Sequence, residues 1–132
     1  MGRIIALDYG TKRIGVAVTD ETKTISMPKP YFFSAEKDKL IEFIKENEVE
    51  EILLGLPVGM GGQETESTAK ARGFARWLED ETGLPVKLID ERLTSKEIMR
   101  GERDREKVDS LVAQKMLERY IENKKNAQGN PS

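Results

Sequence analysis

Apolar and polar positions alternate along this chain in blocks that separate extended from helical segments. The runs RIIALDY (Arg3 to Tyr9) and RIGVAVT (Arg13 to Thr19) are β-branched and apolar. The intervening GTK is a tight turn, so a β hairpin is expected. A third extended piece falls around Thr24 to Phe33, where Pro28 and Pro30 favour the edge of a sheet. Ser34 opens AEKDKLIEFIKENE, in which Leu40, Ile41 and Ile44 recur at helical spacing with charges opposite. The unbroken apolar run Ile52 to Leu56 predicts a strand covered on both faces, as in a parallel sheet. Beyond the glycine-rich loop GLPVGMGGQETES, a helix carries Ala71, Phe74, Ala75 and Leu78 on one stripe and ends at Gly83. PVKLID is a fifth strand, Thr94 and Glu97 have capping-box spacing for a short helix, and a last helix is expected from about Lys107 to Asn123. Residues 124–132 are expected as a frayed tail. The order predicts one α/β domain over residues 1–123, a single mixed sheet with helices against it.

Length and composition then narrow the chemistry. At 132 residues the chain fits one domain and is too short for two nucleotide-clasping lobes. Charged residues of both signs make up 35% and hydrophobic ones 37%, which describes a folded domain with a solvated surface. No apolar run reaches the roughly 18 residues of a membrane span, and the start lacks a signal-peptide pattern, so a cytoplasmic protein with no membrane partner is expected. The sequence has no cysteine and no histidine. That excludes disulfides, thiolate sites, serine-type triads and ordinary zinc sites. Any metal must be held by oxygen, which points to Mg²⁺ or Mn²⁺. A net charge of -2 means that a nucleic-acid partner would need local basic patches.

Three acids fall where an open α/β sheet collects its chemistry, at the carboxyl ends of strands. Asp8 ends the first strand, Glu91 follows the fifth in LIDERLT, and Asp109 lies in the first turn of the last helix. Asp109, Val112, Ala113, Met116 and Tyr120 share one helical stripe, so Asp109 is expected to face the sheet. Read singly, each acid has an ordinary explanation: an ion pair for Asp8, a pair with Arg92 or a turn cap for Glu91, a helix cap for Asp109. Read together, three inward carboxylates repel one another unless divalent cations neutralise them. Two such ions roughly 3.5 to 4 Å apart suit in-line displacement at a phosphodiester. In MRGERDREKVD the cations Arg100, Arg103, Arg105 and Lys107 are interleaved with acids, which reads either as a solvated linker or as phosphate contacts. Lys12, Arg13 and Arg92 are candidates for phosphate or for surface ion pairs.

LDYGTKRIGVAV, LLGLPVGMGG, DERLTS and KVDSLVAQKML, in this order and spacing, resemble the YqgF or RuvX family, over Arg3 to about Ile121. The family is described both as Holliday junction resolvases and as the nuclease that matures the 5′ end of 16S ribosomal RNA. The resemblance implies an RNase H-like five-stranded mixed sheet in the order 3-2-1-4-5, with helices on both faces. It also implies Asp8, Glu91 and Asp109 as catalytic residues and metal ligands. Precursor ribosomal RNA is then the expected partner, branched DNA the alternative, and the protein a monomer or homodimer. Gly59 and Gly61 replace residues that are commonly polar in the family, Ser95 replaces a threonine and Val112 an alanine. LDYGTKRIGVAV also resembles the first phosphate loop of actin-type ATPases, and a non-catalytic nucleic-acid-binding module is a further rival. The short chain disfavours the ATPase, and the intact acid trio disfavours the binding module.

Overall fold

The computed structural model describes residues 2–90 and 105–129. The elements are β1 (Arg3–Tyr9), β2 (Arg13–Thr19), β3 (Ser26–Phe33), α1 (Lys37–Glu46), β4 (Val49–Leu56), α2 (Glu66–Thr82), β5 (Val86–Asp90) and α3 (Arg105–Gly129). They form one five-stranded sheet in the order β3-β2-β1-β4-β5, the order the resemblance implies. β1 pairs antiparallel with β2 and parallel with β4, so it is the central strand, and β4 pairs parallel with β5. The hairpin turn needs its glycine, because Gly10 N–H donates to Arg13 O at 2.9 Å and a Cβ on Gly10 would lie 2.8 Å from that oxygen.

Strand alternation divides the core in two. On one face Ile5, Leu7, Ile14, Val16, Val18, Ile52 and Leu54 pack with Leu40, Ile41 and Ile44 of α1 and Phe74, Ala75 and Leu78 of α2. On the other, Ile4, Ala6, Ala17 and Leu53 pack with Ala113, Met116 and Leu117 of α3. Helices therefore cover both faces, as expected. The small Ala6 and Ala17 leave room for α3 over the two central strands. α2 begins on a capping box between Thr65 and Thr68, the Thr68 hydroxyl also donating to Pro57 O. It ends at Gly83, whose φ of 70° is the left-handed helix stop that glycine takes without strain.

β3 is an edge strand, as its prolines predicted, and it carries a bulge. Ile14 pairs with Phe32 and Val16 with Lys29, so Gly15 alone faces both Pro30 and Tyr31.

Two expectations need correction. Ser34 does not open α1: a 3-10 turn over Ser34–Glu36 comes first, and the Ser34 hydroxyl donates instead to Gly10 O at 2.8 Å. The residue ties the end of β3 to the β1–β2 turn. The last helix does not stop at Asn123 but runs on to Gly129, through residues expected as a frayed tail. Lys124, the first residue past the expected end, is tied back to the fold. Its ammonium lies 3.6 Å from Glu51 and 4.9 Å from the centre of the Tyr120 ring. The short helix expected after Thr94 lies outside the described residues.

Candidate active site

Asp8 is the last even-numbered position of β1, in step with Ile4 and Ala6, so it belongs to the sheet face that α3 covers. It sits half-buried where the apolar run gives out at the carboxyl end of the central strand. Its partner across the ladder is Gly15, so no side chain on β2 opposes it directly. β1, β4 and β5 run parallel, and their carboxyl ends share one edge of the sheet. Asp90 closes β5 opposite Leu56.

The first described side-chain contacts of α3 fix its entry next to this point. Ser110 is buried, and its hydroxyl donates to Lys29 O at 2.7 Å while accepting from Val16 N–H at 3.4 Å. The bulge interrupts β2–β3 pairing there, and the serine occupies the gap. Val16 pairs with Leu7, the residue before Asp8, so the helix turn that contains Asp109 starts beside the end of β1. Val112, Ala113 and Met116 of the expected stripe are buried.

The other end of α3 is clamped at the start of β4. Tyr120 donates its hydroxyl to Glu51 Oε2 at 2.6 Å and accepts from Lys87 Nζ at 3.3 Å. The Tyr120 hydroxyl, helped by the charge of Glu51, holds the Lys124 ammonium above the usual lysine range. Sequence reasoning missed Ser110. Its signal is a polar residue on the buried stripe of Ala113 and Leu117, which requires a hydrogen-bond partner.

Among the basic candidates, Lys12 is exposed in the hairpin turn and Arg13 is half-buried, both at the Asp8 end of the sheet. Glu91, Arg92, Arg100 and Arg103 lie outside the described residues. Arg105, Lys107 and Asp109 fall in the first turns of α3, but their side chains lie outside the description. Among the described residues no three carboxylates come together. What is present fits a hard cation: an aspartate at the strand end, in a chain whose donors include neither imidazole nor thiolate. Around the same edge, on the α2 side, a cavity of about 460 Å³ is lined by Tyr9, Gly10, Thr11, Pro57, Ser67 and Lys70. The Tyr9 ring stacks on Phe74 at 4.2 Å, and Phe74 stacks on Trp77 at 5.6 Å, which fixes the end of β1 against α2.

The profile of the RuvX family, described as Holliday junction resolvase, matches residues 2–123. The chain belongs to this family. A RuvX relative from Koribacter versatilis, named "Putative pre-16S rRNA nuclease", is 41% identical over 92% of this chain and 87% of its own length. One of the same name from Escherichia coli is 38% identical over 92% and 96%. Family and relatives place this RuvX chain among the nucleases. A Thermus thermophilus RuvC structure superposes with a TM-score of 0.57 over 94% of this chain and 96% of that one. At 13% identity the likeness concerns the fold, which is RNase H-like. Among the described residues, no helix is long and apolar enough to cross a membrane.

Proposed function

We propose that this chain is a divalent-metal-dependent endonuclease that hydrolyses phosphodiester bonds of nucleic acid, with the 5′ end of precursor 16S ribosomal RNA as its substrate in the cytoplasm. The observation that carries the reading is the position of Asp8, at the end of the central strand and on the face where Ser110 fixes the second turn of α3. Asp8, Glu91 and Asp109 would hold Mg²⁺ or Mn²⁺. Glu91 follows Ile89 by two residues, and Ile89 packs on the α3 side. Two bound ions would supply the Lewis-acid charge for in-line displacement at phosphorus. The carboxylates fix where that charge sits. Lys12, Arg13, Arg92, Arg100, Arg103, Arg105 and Lys107 would hold and orient the phosphates to either side.

The test is cleavage of precursor 16S RNA and of a four-way DNA junction by purified protein, with Mn²⁺ and with EDTA. Metal-dependent cleavage of the RNA is expected, and undiminished cleavage in EDTA would overturn the reading. Asp8→Asn separates catalysis from folding. If Asp8 shares a metal site with Glu91 and Asp109, removing its charge should relieve repulsion and leave the metal-free protein at least as stable as the parent, yet inactive. Metal that binds only the folded state adds about 2.7 kcal/mol at a hundredfold excess over Kd. Mn²⁺ should therefore raise the parent's melting temperature and the variant's much less. The family's own description favours a second reading, a resolvase of branched DNA. That activity requires a two-fold dimer with paired sites, so junction cleavage by a dimer would select it.

A further inference from the structure

Tyr31 and Phe33 stand on the Asp8 side of the sheet. The bulge turns Tyr31 onto the face that Phe33 shares: the two rings meet edge-on at 5.3 Å and 89°, and the Arg13 guanidinium lies 5.6 Å from the centre of the Tyr31 ring. Phe33 is 51% exposed, one of two large apolar side chains so exposed among the described residues. Phe32, between them, points the other way and packs against Phe43 in the core. Across the sheet the row runs Asp8, Gly15, Tyr31, and its middle member has no side chain. Two strand spacings put Tyr31 about 10 Å from Asp8, the length of roughly three stacked nucleotides. Lys12 belongs to the same rigid corner, because Ser34 N–H donates to Lys12 O at 2.9 Å and Ser34 Oγ to Gly10 O at 2.8 Å.

Pairing of β3 with a second copy is a poor explanation for the exposed ring. Pro28 and Pro30 remove two backbone donors, and the bulge bends the strand, the devices by which edges avoid sheet extension. An exposed phenyl ring and a half-buried tyrosine ring beside an arginine and a lysine instead match how proteins hold unpaired bases. The rings stack on the bases while the cations meet the phosphates. We propose that Tyr31 and Phe33 form a stacking platform for unpaired nucleobases two or three nucleotides from the phosphodiester at Asp8, so that the enzyme engages RNA that is single-stranded on that side of the cut. The platform rests on the nuclease reading for its orientation towards Asp8. A duplex, whose base faces are already stacked, gains nothing from it.

The probe is a fluorescein-labelled single-stranded RNA dodecamer, compared with the same strand in a duplex, both in EDTA so that binding is read without cleavage. Phe33→Leu and Tyr31→Ala should each weaken single-strand binding about 5- to 100-fold. Duplex binding and the salt dependence should stay as in the parent. Tyr31→Phe, which keeps the ring, should bind as the parent does. A 2-aminopurine base in the dodecamer should be quenched by the parent and by Tyr31→Phe but not by Phe33→Leu, a response that a purely structural role would not produce. Equal losses on both RNAs, unchanged affinity in folded Phe33→Leu, or a parent dimer that this variant converts to monomer would overturn the platform. Quenching that depends on the rings in a protein that cleaves no RNA would sink the nuclease reading and leave the platform standing. Cleavage with no role for the rings would do the reverse.

Discussion

Ser110→Ala tests whether the start of α3 is held where the nuclease reading needs it. The serine is 8% exposed, and its hydroxyl serves two main-chain groups, Lys29 C=O at 2.7 Å and Val16 N–H at 3.4 Å. The substitution opens no large cavity but strands both groups where the bulge has already taken their ladder partners. An unsatisfied buried polar group costs about 1–3 kcal/mol. The first bond is short and the second long, so a loss of about 2 kcal/mol is expected. At roughly 3–5 °C per kcal/mol for a chain of this size, melting should fall by about 6–10 °C. Ser26→Ala is the internal control. Its hydroxyl donates at 3.1 Å to Gln114 O, a carbonyl inside the helix, and the Gln114 Nε2 bond to Ser26 O at 3.3 Å remains. It should cost under about 1 kcal/mol. Urea unfolding in metal-free buffer, followed by the fluorescence of the single tryptophan Trp77, measures both, with the midpoint moving and the slope unchanged. Cleavage by folded Ser110→Ala should fall further than its folded fraction, because the turn that carries Asp109 loses its anchor. A Ser110→Ala variant within about 0.5 kcal/mol of the parent, the range of an ordinary surface change, would refute the argument, as would a larger loss from Ser26→Ala.

Three further outcomes are expected. Replacing Arg100, Arg103, Arg105 and Lys107 together by alanine should weaken RNA binding and flatten its salt dependence, since released counterions scale with phosphates contacted; an unchanged slope on titration with KCl would make the segment a solvated linker. Gly83→Ala should cost about 1 kcal/mol in urea unfolding, because φ is 70° there while an added Cβ meets no atom within 4 Å, leaving conformation as the whole penalty. In the β2–β3 turn, the Thr22 hydroxyl and then the backbone N–H groups of Ile25 and Thr24 hold the Asp20 carboxyl well below the usual carboxylate range. A depressed folded-state pKa stabilises above the unfolded value of about 3.9 and is lost as pH falls through the folded one, so a carbon-detected NMR titration should find Asp20 still charged where exposed glutamates have protonated.

What could be read from the sequence was local, and what could not was set by pairings between distant residues. The stripes Leu40, Ile41, Ile44 and Ala71, Phe74, Ala75, Leu78 were legible because one helical period fixes which side is buried, and all seven are buried. The prolines of β3 announced an edge because neither can donate to a neighbour. The tie of α3 just beyond Asn123 was illegible because Lys124 finds Glu51 across the fold. Asp8 was suspect from its position alone, whereas Ser110 acquires a task only once Val16 and Lys29 are known to part.

The aromatic triplet Tyr31, Phe32 and Phe33 is the sharpest case. Three consecutive apolar residues carry no alternation, so the sequence offers no parity for them. Continued without interruption, the pairing of Val16 with Lys29 would set Tyr31 opposite Ile14 in the core and turn Phe32 outward beside Arg13. One extra residue opposite Gly15 reverses this. Phe32 pairs with Ile14 and enters the core, while Phe33 stands opposite Arg13 with Tyr31 on its face. The same extra residue parts the backbone groups that Ser110 satisfies. A single bulge therefore places the start of α3 and sets the exposed Phe33 and the half-buried Tyr31 on the Asp8 face of the sheet, and deleting Pro30 should disturb both together. The deletion variant should lose stability as Ser110→Ala does and single-strand RNA affinity as Phe33→Leu does. Loss of only one of the two would show that the bulge does not link them.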